Sequence, residues 1–287
     1  MLKPSETAIL LITCPDKKGI VAAISDFLFR NQGNIVHADQ YTDPETQVFF
    51  MRIEWELNEF KIPRDKFVSV FNPLAKKYKM QWDLHHSNFI PKMAIFVSKQ
   101  GHCLLDILSR YRDNEFRAEI PLIISNHPDL ESIAESFHIK YVHIPVTQEN
   151  KPRQEKKELE LLKKHNINLI VLARYMQILS KDFIQNYPNQ IINIHHSFLP
   201  AFAGGKPYHQ AYEKGVKIIG ATSHYATADL DEGPIIEQDV IRVSHRDRVE
   251  DLIRKGRDLE KIVLARAIRL HLQNRILVYR NKTIVFD

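Results

Sequence analysis

Asn193 and His195 stand two positions apart in the stretch QIINIHHSFLP (190–200), and both are residue types that act on carbonyl groups. An amide N–H can polarise a carbonyl oxygen, and an imidazole can move protons. The isoleucines at 191, 192 and 194 mark an apolar strand, whose period-two alternation places Asn193 and His195 on the same face. Pro200 and the Gly204-Gly205 pair mark the exit from that strand into a loop. Further along, LDEGPIIEQ (230–238) supplies Asp231 in a turn before another apolar segment. An amide, an imidazole and a carboxylate brought together would suit acyl-group chemistry.

Other chemistries fit less well. His195, His196, His209, His224 and Asp231 are metal-ligand types, but no pair has the spacing of a zinc signature. Adjacent strand histidines are moreover expected on opposite faces, so no metal is expected. The segment SKQGHC (98–103) follows an apolar strand, where backbone N–H groups would hold a phosphate. It has neither the GxGxxG nor the GxxxxGK[ST] pattern, which argues against a dinucleotide or nucleoside triphosphate. His102 in that loop is either a pocket residue or a solvent-facing helix start, and Cys103 reads as packing rather than nucleophile. LARYMQILS (172–180) has the apolar and amide side chains of a wall for a flat heteroaromatic ligand.

These residues need a scaffold, and the chain is long enough for two domains at 287 residues. Forty Lys and Arg against 35 Asp and Glu leave a net charge of +5, scattered along helices rather than gathered in a tract. That balance suits a small anionic ligand and is weak support for nucleic acid. Two cysteines, Cys14 and Cys103, without CxxC spacing suggest a reduced, cytoplasmic setting. No apolar run reaches membrane-spanning length, so a soluble protein is expected.

Residues 7–86 read as strand, helix, two strands, helix, strand, the ferredoxin-like βαββαβ arrangement. Gly33 is expected as the left-handed cap of the first helix. After a connector at His86-Ser87-Asn88 the pattern becomes strand–helix alternation, the signature of an open, mostly parallel, Rossmann-like α/β sheet. The expected division is residues 1–87 and residues 88–287. A long helix over 249–272 and a terminal hairpin close the chain.

Two family resemblances attach to these segments. CPDKKGIVAAISDFLFRNQGNIVHADQY (14–41) resembles the start of an ACT regulatory domain. That resemblance implies an amino-acid effector, glycine or methionine, at Asp16, Lys18, Gly19 and Ile20, and pairing of chains into a homodimer or homotetramer. The second is more specific. NIHHSFLPAFAGGKPYHQAYEKGVKIIGATSHYATADLDEGPIIEQ (193–238) resembles the catalytic core of the folate-dependent formyltransferase and formyl-hydrolase superfamily. It implies that Asn193, His195 and Asp231 are catalytic. It also implies substrate contacts from His224 and from Met176, Gln177, Ile178 and Leu179 along the pterin pocket, with His102 and His196 as further candidates. His196 stands where transferases commonly carry proline, and SKQGHC replaces their glycine-rich phosphate loop. Both departures point to water as the acceptor. The resemblance thus implies hydrolysis of 10-formyltetrahydrofolate to tetrahydrofolate and formate, without cofactor, in one-carbon metabolism serving purine synthesis. The alternatives are transfer of the formyl group to an amine and a non-catalytic amino-acid sensor.

Overall fold

The computed structural model describes residues 6–200 and 207–286, so the Gly204-Gly205 pair lies outside the described residues. Compact units form on either side of Ile90. The first contains β1 (Thr7–Pro15), α1 (Ile20–Arg30), β2 (Asn34–Asp43), β3 (Val48–Glu56), α2 (Arg64–Tyr78) and β4 (Gln81–His86). Its sheet runs β2-β3-β1-β4 with every neighbour antiparallel. Alternation decides which face is covered: Ala8, Leu10 and Ile12 of β1 and Met51, Ile53 and Trp55 of β3 enter one core. There they meet Ile24 and Leu28 of α1 and Phe67 and Phe71 of α2, with Trp55 stacked on Phe67 at 5.6 Å.

Helix α1 ends differently from expectation. The left-handed residue after it is Gln32 (φ 59°), whereas Gly33 is not in that region. The C-terminal stretches also depart from a colinear division. Asn274–Leu277 and the segment from Ile284 group with the first unit, where the buried Arg52 donates to the Asn274 carbonyl at 3.0 Å. A colinear boundary cannot foresee a return of the chain to its first module.

The second unit holds β5 (Lys92–Val97), α3 (His102–Arg112), β6 (Glu119–Ser125), α4 (Glu131–Ser136), β7 (Lys140–His143), α5 (Lys151–Lys164) and β8 (Leu169–Leu172). It continues with α6 (Lys181–Gln185), β9 (Ile191–His195), α7 (Pro207–Glu213), β10 (Ile218–Tyr225), β11 (Ile235–Arg242) and α8 (Val249–Leu272). A hairpin of β12 (Ile276–Tyr279) and β13 (Lys282–Val285) follows. The sheet order is β11-β10-β9-β8-β5-β6-β7. β5 to β9 pair in parallel, and β10 and β11 add an antiparallel edge. This is the mostly parallel α/β sheet expected. β5 is buried on both faces, as its unbroken apolar run requires.

Strand order explains where a ligand must go. The chain builds outward through β6 and β7, then returns to the other side of β5 for β8 and β9. Loops leaving the carboxyl ends diverge at that reversal and open a crevice. Helices α6 and α7, absent from the periodicity reading, are short and bracket β9. Ser180 caps α6, its Oγ accepting from the Phe183 N–H at 3.2 Å. Among the described residues no helix is long and apolar enough to cross a membrane.

Candidate active site

β9 ends at His195, at the mouth of a cleft of about 560 Å³. Asn193 and His195 both line it, as alternation along the strand demands. Antiparallel pairing with β10 sets the next position: His224 lies directly opposite Asn193, and Thr222 opposite His195. Thr222 then pins the chain beyond the strand, donating to the Ser197 carbonyl at 2.9 Å and accepting from Leu199 N–H at 3.1 Å. Asp231 arrives from the turn after β10 in a left-handed conformation (φ 58°), a region that Asp tolerates better than most residues. The turn closes where Tyr225 N–H donates to the Pro234 carbonyl at 2.9 Å.

The carboxylate of Asp231 sits between two imidazoles. Its Oδ2 is 3.2 Å from His195 Nδ1, and its Oδ1 is 3.6 Å from His224 Nε2. Hydrogen bonding to His195, then to His224, holds this carboxyl well below the usual carboxylate range despite partial burial. The second ring nitrogen of His195, Nε2, is 2.8 Å from Ser197 Oγ. His224 Nδ1 lies 3.0 Å from the Tyr225 carbonyl, which only a ring N–H can satisfy. Its Nε2 lies 3.2 Å from Asn193 Nδ2, and that amide has a second hydrogen for a ligand oxygen.

His196 corrects one expectation. Because the strand stops at His195, the adjacent histidines are not held to opposite faces: both line the cleft, with rings 5.2 Å apart. Burial, then the charges of Arg174 and His195, push His196 down to about 4, so it is neutral at physiological pH.

Met176, Gln177, Ile178 and Leu179 form one wall of the same cleft. Met176 and Ile178 are more than half exposed at its rim, while Tyr175 and Leu179 reach into the core below.

His102 does not line the cleft. Its Nε2 is 2.8 Å from Glu260 on α8, a buried carboxylate that also accepts from Tyr208 at 2.8 Å. Arg174 Nε lies 3.5 Å from Glu260 and donates to Gln100 Oε1 at 3.2 Å. Burial opposes the charge on Glu260, but His102 and Arg174 hold its carboxyl below the ordinary value. Together these side chains fill the space behind His196, leaving a cavity of about 180 Å³. His102, Cys103 and Glu260 are close enough to share a cation, yet Arg174 already neutralises that carboxylate. Burial pushes the Cys103 thiol well up, which makes it a poor nucleophile.

Sequence reasoning did not single out Arg174, Ser197 and Tyr208 within the segments it quoted, nor Glu260, which carries no motif of its own. The proposed effector residues belong to the first unit. Asp16, Lys18 and Gly19 are exposed in the loop between β1 and α1, with Gly19 at φ 90°, whereas the Ile20 side chain is buried in the core.

Two tests follow from this geometry. A Cβ at Gly233 would lie 1.7 Å from the Tyr225 carbonyl oxygen, a backbone atom that cannot swing aside. Gly233→Ala therefore displaces the turn carrying Asp231, and kcat/KM is expected to fall by about 100-fold in steady-state assays. The second concerns pH. A carboxyl whose folded pKa is depressed adds stability above its unfolded pKa, lost as pH falls through the folded one. The stability advantage of wild type over Asp231→Asn in thermal denaturation is thus constant near neutrality and closes below the ordinary value of 3.8.

Comparison with known proteins accounts for both units. Residues 91–268 match the formyl transferase family and residues 8–54 the ACT domain. A formyltetrahydrofolate deformylase of Synechocystis sp. is 62% identical over 98% of each chain. One from Bacillus subtilis is 49% identical over 97% of this chain and 93% of its own. The crystal structure of a formyltetrahydrofolate deformylase from Pseudomonas syringae superposes with a TM-score of 0.96 at 46% identity, covering 100% of this chain and 96% of that one. The chain belongs to the formyl transferase family, among the ACT-containing formyltetrahydrofolate deformylases.

Proposed function

We propose that this chain hydrolyses 10-formyltetrahydrofolate to tetrahydrofolate and formate. The observation that carries the reading is the convergence of Asn193, His195 and Asp231 on one cleft beside the Met176–Leu179 wall. The pterin lies against that wall, and the N10-formyl group reaches the three polar side chains.

Water attacks the formyl carbon. Asn193 donates its second amide hydrogen to the oxyanion, a contribution of about 3 kcal/mol. A carboxylate held as far down as Asp231 is a weak base, so the proton taken from water resides on His195. Asp231 fixes the His195 tautomer through Nδ1 and stabilises the imidazolium. Collapse of the intermediate breaks the C–N10 bond, His195 returns the proton to N10, and formate leaves. The step is redox-neutral and uses protein groups alone, so no cofactor is invoked.

Water as acceptor is supported by the far side of His196. Gln100, His102, Arg174, Tyr208 and Glu260 bond to one another there, and about 180 Å³ remains. Ser98, in the same loop, is committed to Asn126 Oδ1 at 2.6 Å and to the Met176 N–H at 2.9 Å. A bulky phosphorylated amine has little room. A formyltransferase and a non-catalytic sensor are accordingly not favoured.

The physiological setting follows from the reaction: a cytoplasmic enzyme that releases formate and balances one-carbon folates for purine synthesis. The ACT unit binds an amino acid, glycine or methionine, at the loop of Asp16, Lys18, Gly19 and Ile20, and pairs chains into a homodimer or homotetramer. No nucleic acid or membrane partner is implied.

Purified protein given 10-formyltetrahydrofolate and no acceptor should release formate stoichiometrically with tetrahydrofolate. Formate appearing only after an amine is added would identify a transferase. His195→Ala and Asp231→Asn should each lower kcat by about 10²–10⁴-fold with the fold intact by circular dichroism. Millimolar glycine or methionine should change the rate, and Asp16→Ala should blunt that response.

A further inference from the structure

Helix α5 carries a pair of carboxylates in an unusual place. Glu155 and Glu158 are 7% and 1% exposed, although a charged amphipathic helix would ordinarily turn them to water. Burying such groups is costly, and here each is spent on the same short segment. Glu158 Oε1 accepts from the Tyr175 hydroxyl at 3.1 Å, and Glu155 Oε1 accepts from the backbone N–H of Ser180 at 2.9 Å. Tyr175 and Ser180 flank Met176–Leu179, the wall of the substrate cleft. A third tie, Ser98 Oγ to the Met176 N–H, holds that segment from β5. The Tyr175 ring is further fixed edge-on to Phe96 at 5.2 Å.

We propose that Glu155 and Glu158 are positioning residues for the substrate wall, holding its two ends so that Met176, Gln177 and Ile178 present to the pterin. This rests on the hydrolase reading for its kinetic consequence, but not for its structural one. Neither carboxylate lines the cleft, so their influence passes through Tyr175 and Ser180.

The pair also makes the wall sensitive to pH. Glu158 Oε2 is buried without a hydrogen-bond partner. Burial pushes its carboxyl up to about 7, the Tyr175 hydrogen bond opposing, Glu155 adding to the rise and Lys151 reducing it. Those three are the titratable groups facing it. For a raised carboxyl the favourable state is the neutral one, present at low pH and lost as pH rises through about 7. Above that point Glu158 is a buried anion, and the Tyr175 hydroxyl donates to a charged acceptor, which tightens the contact with the wall.

Tyr175→Phe and Glu158→Ala should each raise KM for 10-formyltetrahydrofolate by about tenfold with kcat within about twofold of wild type. In wild type, KM should fall about threefold from pH 6 to pH 8, as ionisation of Glu158 strengthens the bond it accepts from Tyr175. Glu158→Gln, a neutral isostere, should hold the higher KM of pH 6 throughout and lose that pH dependence. Hydrogen–deuterium exchange of the unliganded protein supplies a readout independent of turnover. The amides of Met176 and Ser180 should exchange faster in Glu158→Ala than in wild type. Unchanged exchange there in a folded variant overturns the proposal whatever the enzyme's substrate. A KM profile in Glu158→Gln parallel to wild type overturns the pH coupling. If wild type releases no formate while exchange changes as expected, the hydrolase reading fails and the positioning role stands.

Discussion

An ionised carboxylate caught between two imidazoles is the contact that the catalytic unit is arranged to produce. Asp231 cannot reach His195 and His224 from a regular strand. It needs the left-handed turn after β10, and that turn closes only because Gly233 leaves space for the Tyr225 carbonyl. His224 is in place because β10 pairs antiparallel with β9, which sets it opposite Asn193. Had β10 continued the parallel order, no single register would have given those neighbours. The antiparallel edge on an otherwise parallel sheet is thus tied to the site. The β9 side of the crevice follows from the reversal of strand order, which leaves the carboxyl ends of β8 and β9 open to a ligand.

A second buried carboxylate organises the far side of His196. Glu260 lies on the long helix α8, buried, with His102, Tyr208 and Arg174 around it. Replacing any one partner would leave a buried charge short of a bond, at a cost of about 1–3 kcal/mol. The network is therefore closed on itself, with a cavity of about 180 Å³ beside it. Arg174 enters it from a left-handed backbone position just past β8 and, like His196, lines both the cavity behind and the cleft in front.

Much of this was legible in the sequence, for identifiable reasons. The apolar runs at β5, β8 and β9 and the long periodic α8 announced themselves, and the resemblance of 193–238 to a catalytic core singled out Asn193, His195 and Asp231, which the fold brings to one cleft. Alternation correctly paired Asn193 with His195. The same rule misled at His196, because it was applied one residue past the end of the strand. Helix α6 was missed although Ser180 and Asp182 form a proper N-terminal signal; at five residues it is too short to show a period. His102 was placed among substrate contacts because its loop lies at a strand end. Its partner, Glu260, is remote in sequence, and no local pattern shows that pairing. Buried Glu155 and Glu158 were illegible for a related reason: on a helical wheel they look like solvent-facing charges.

The three carboxylates around the cleft show how environment, not residue type, sets their tasks. Asp231 takes hydrogen bonds from the His195 and His224 rings and stays ionised. Glu260 is more deeply buried, yet an arginine and a histidine offset desolvation and keep it charged as a structural anion. Glu158 is as buried as Glu260 but has only a tyrosine hydroxyl, and desolvation wins, lifting it to about 7. Burial separates Asp231 from Glu260, and the lack of any cationic hydrogen-bond partner separates both from Glu158. A fold that needs an anion supplies cationic neighbours. Where it withholds them, as at Glu158, the carboxyl is left able to change charge near physiological pH, against the Met176–Leu179 wall of the cleft.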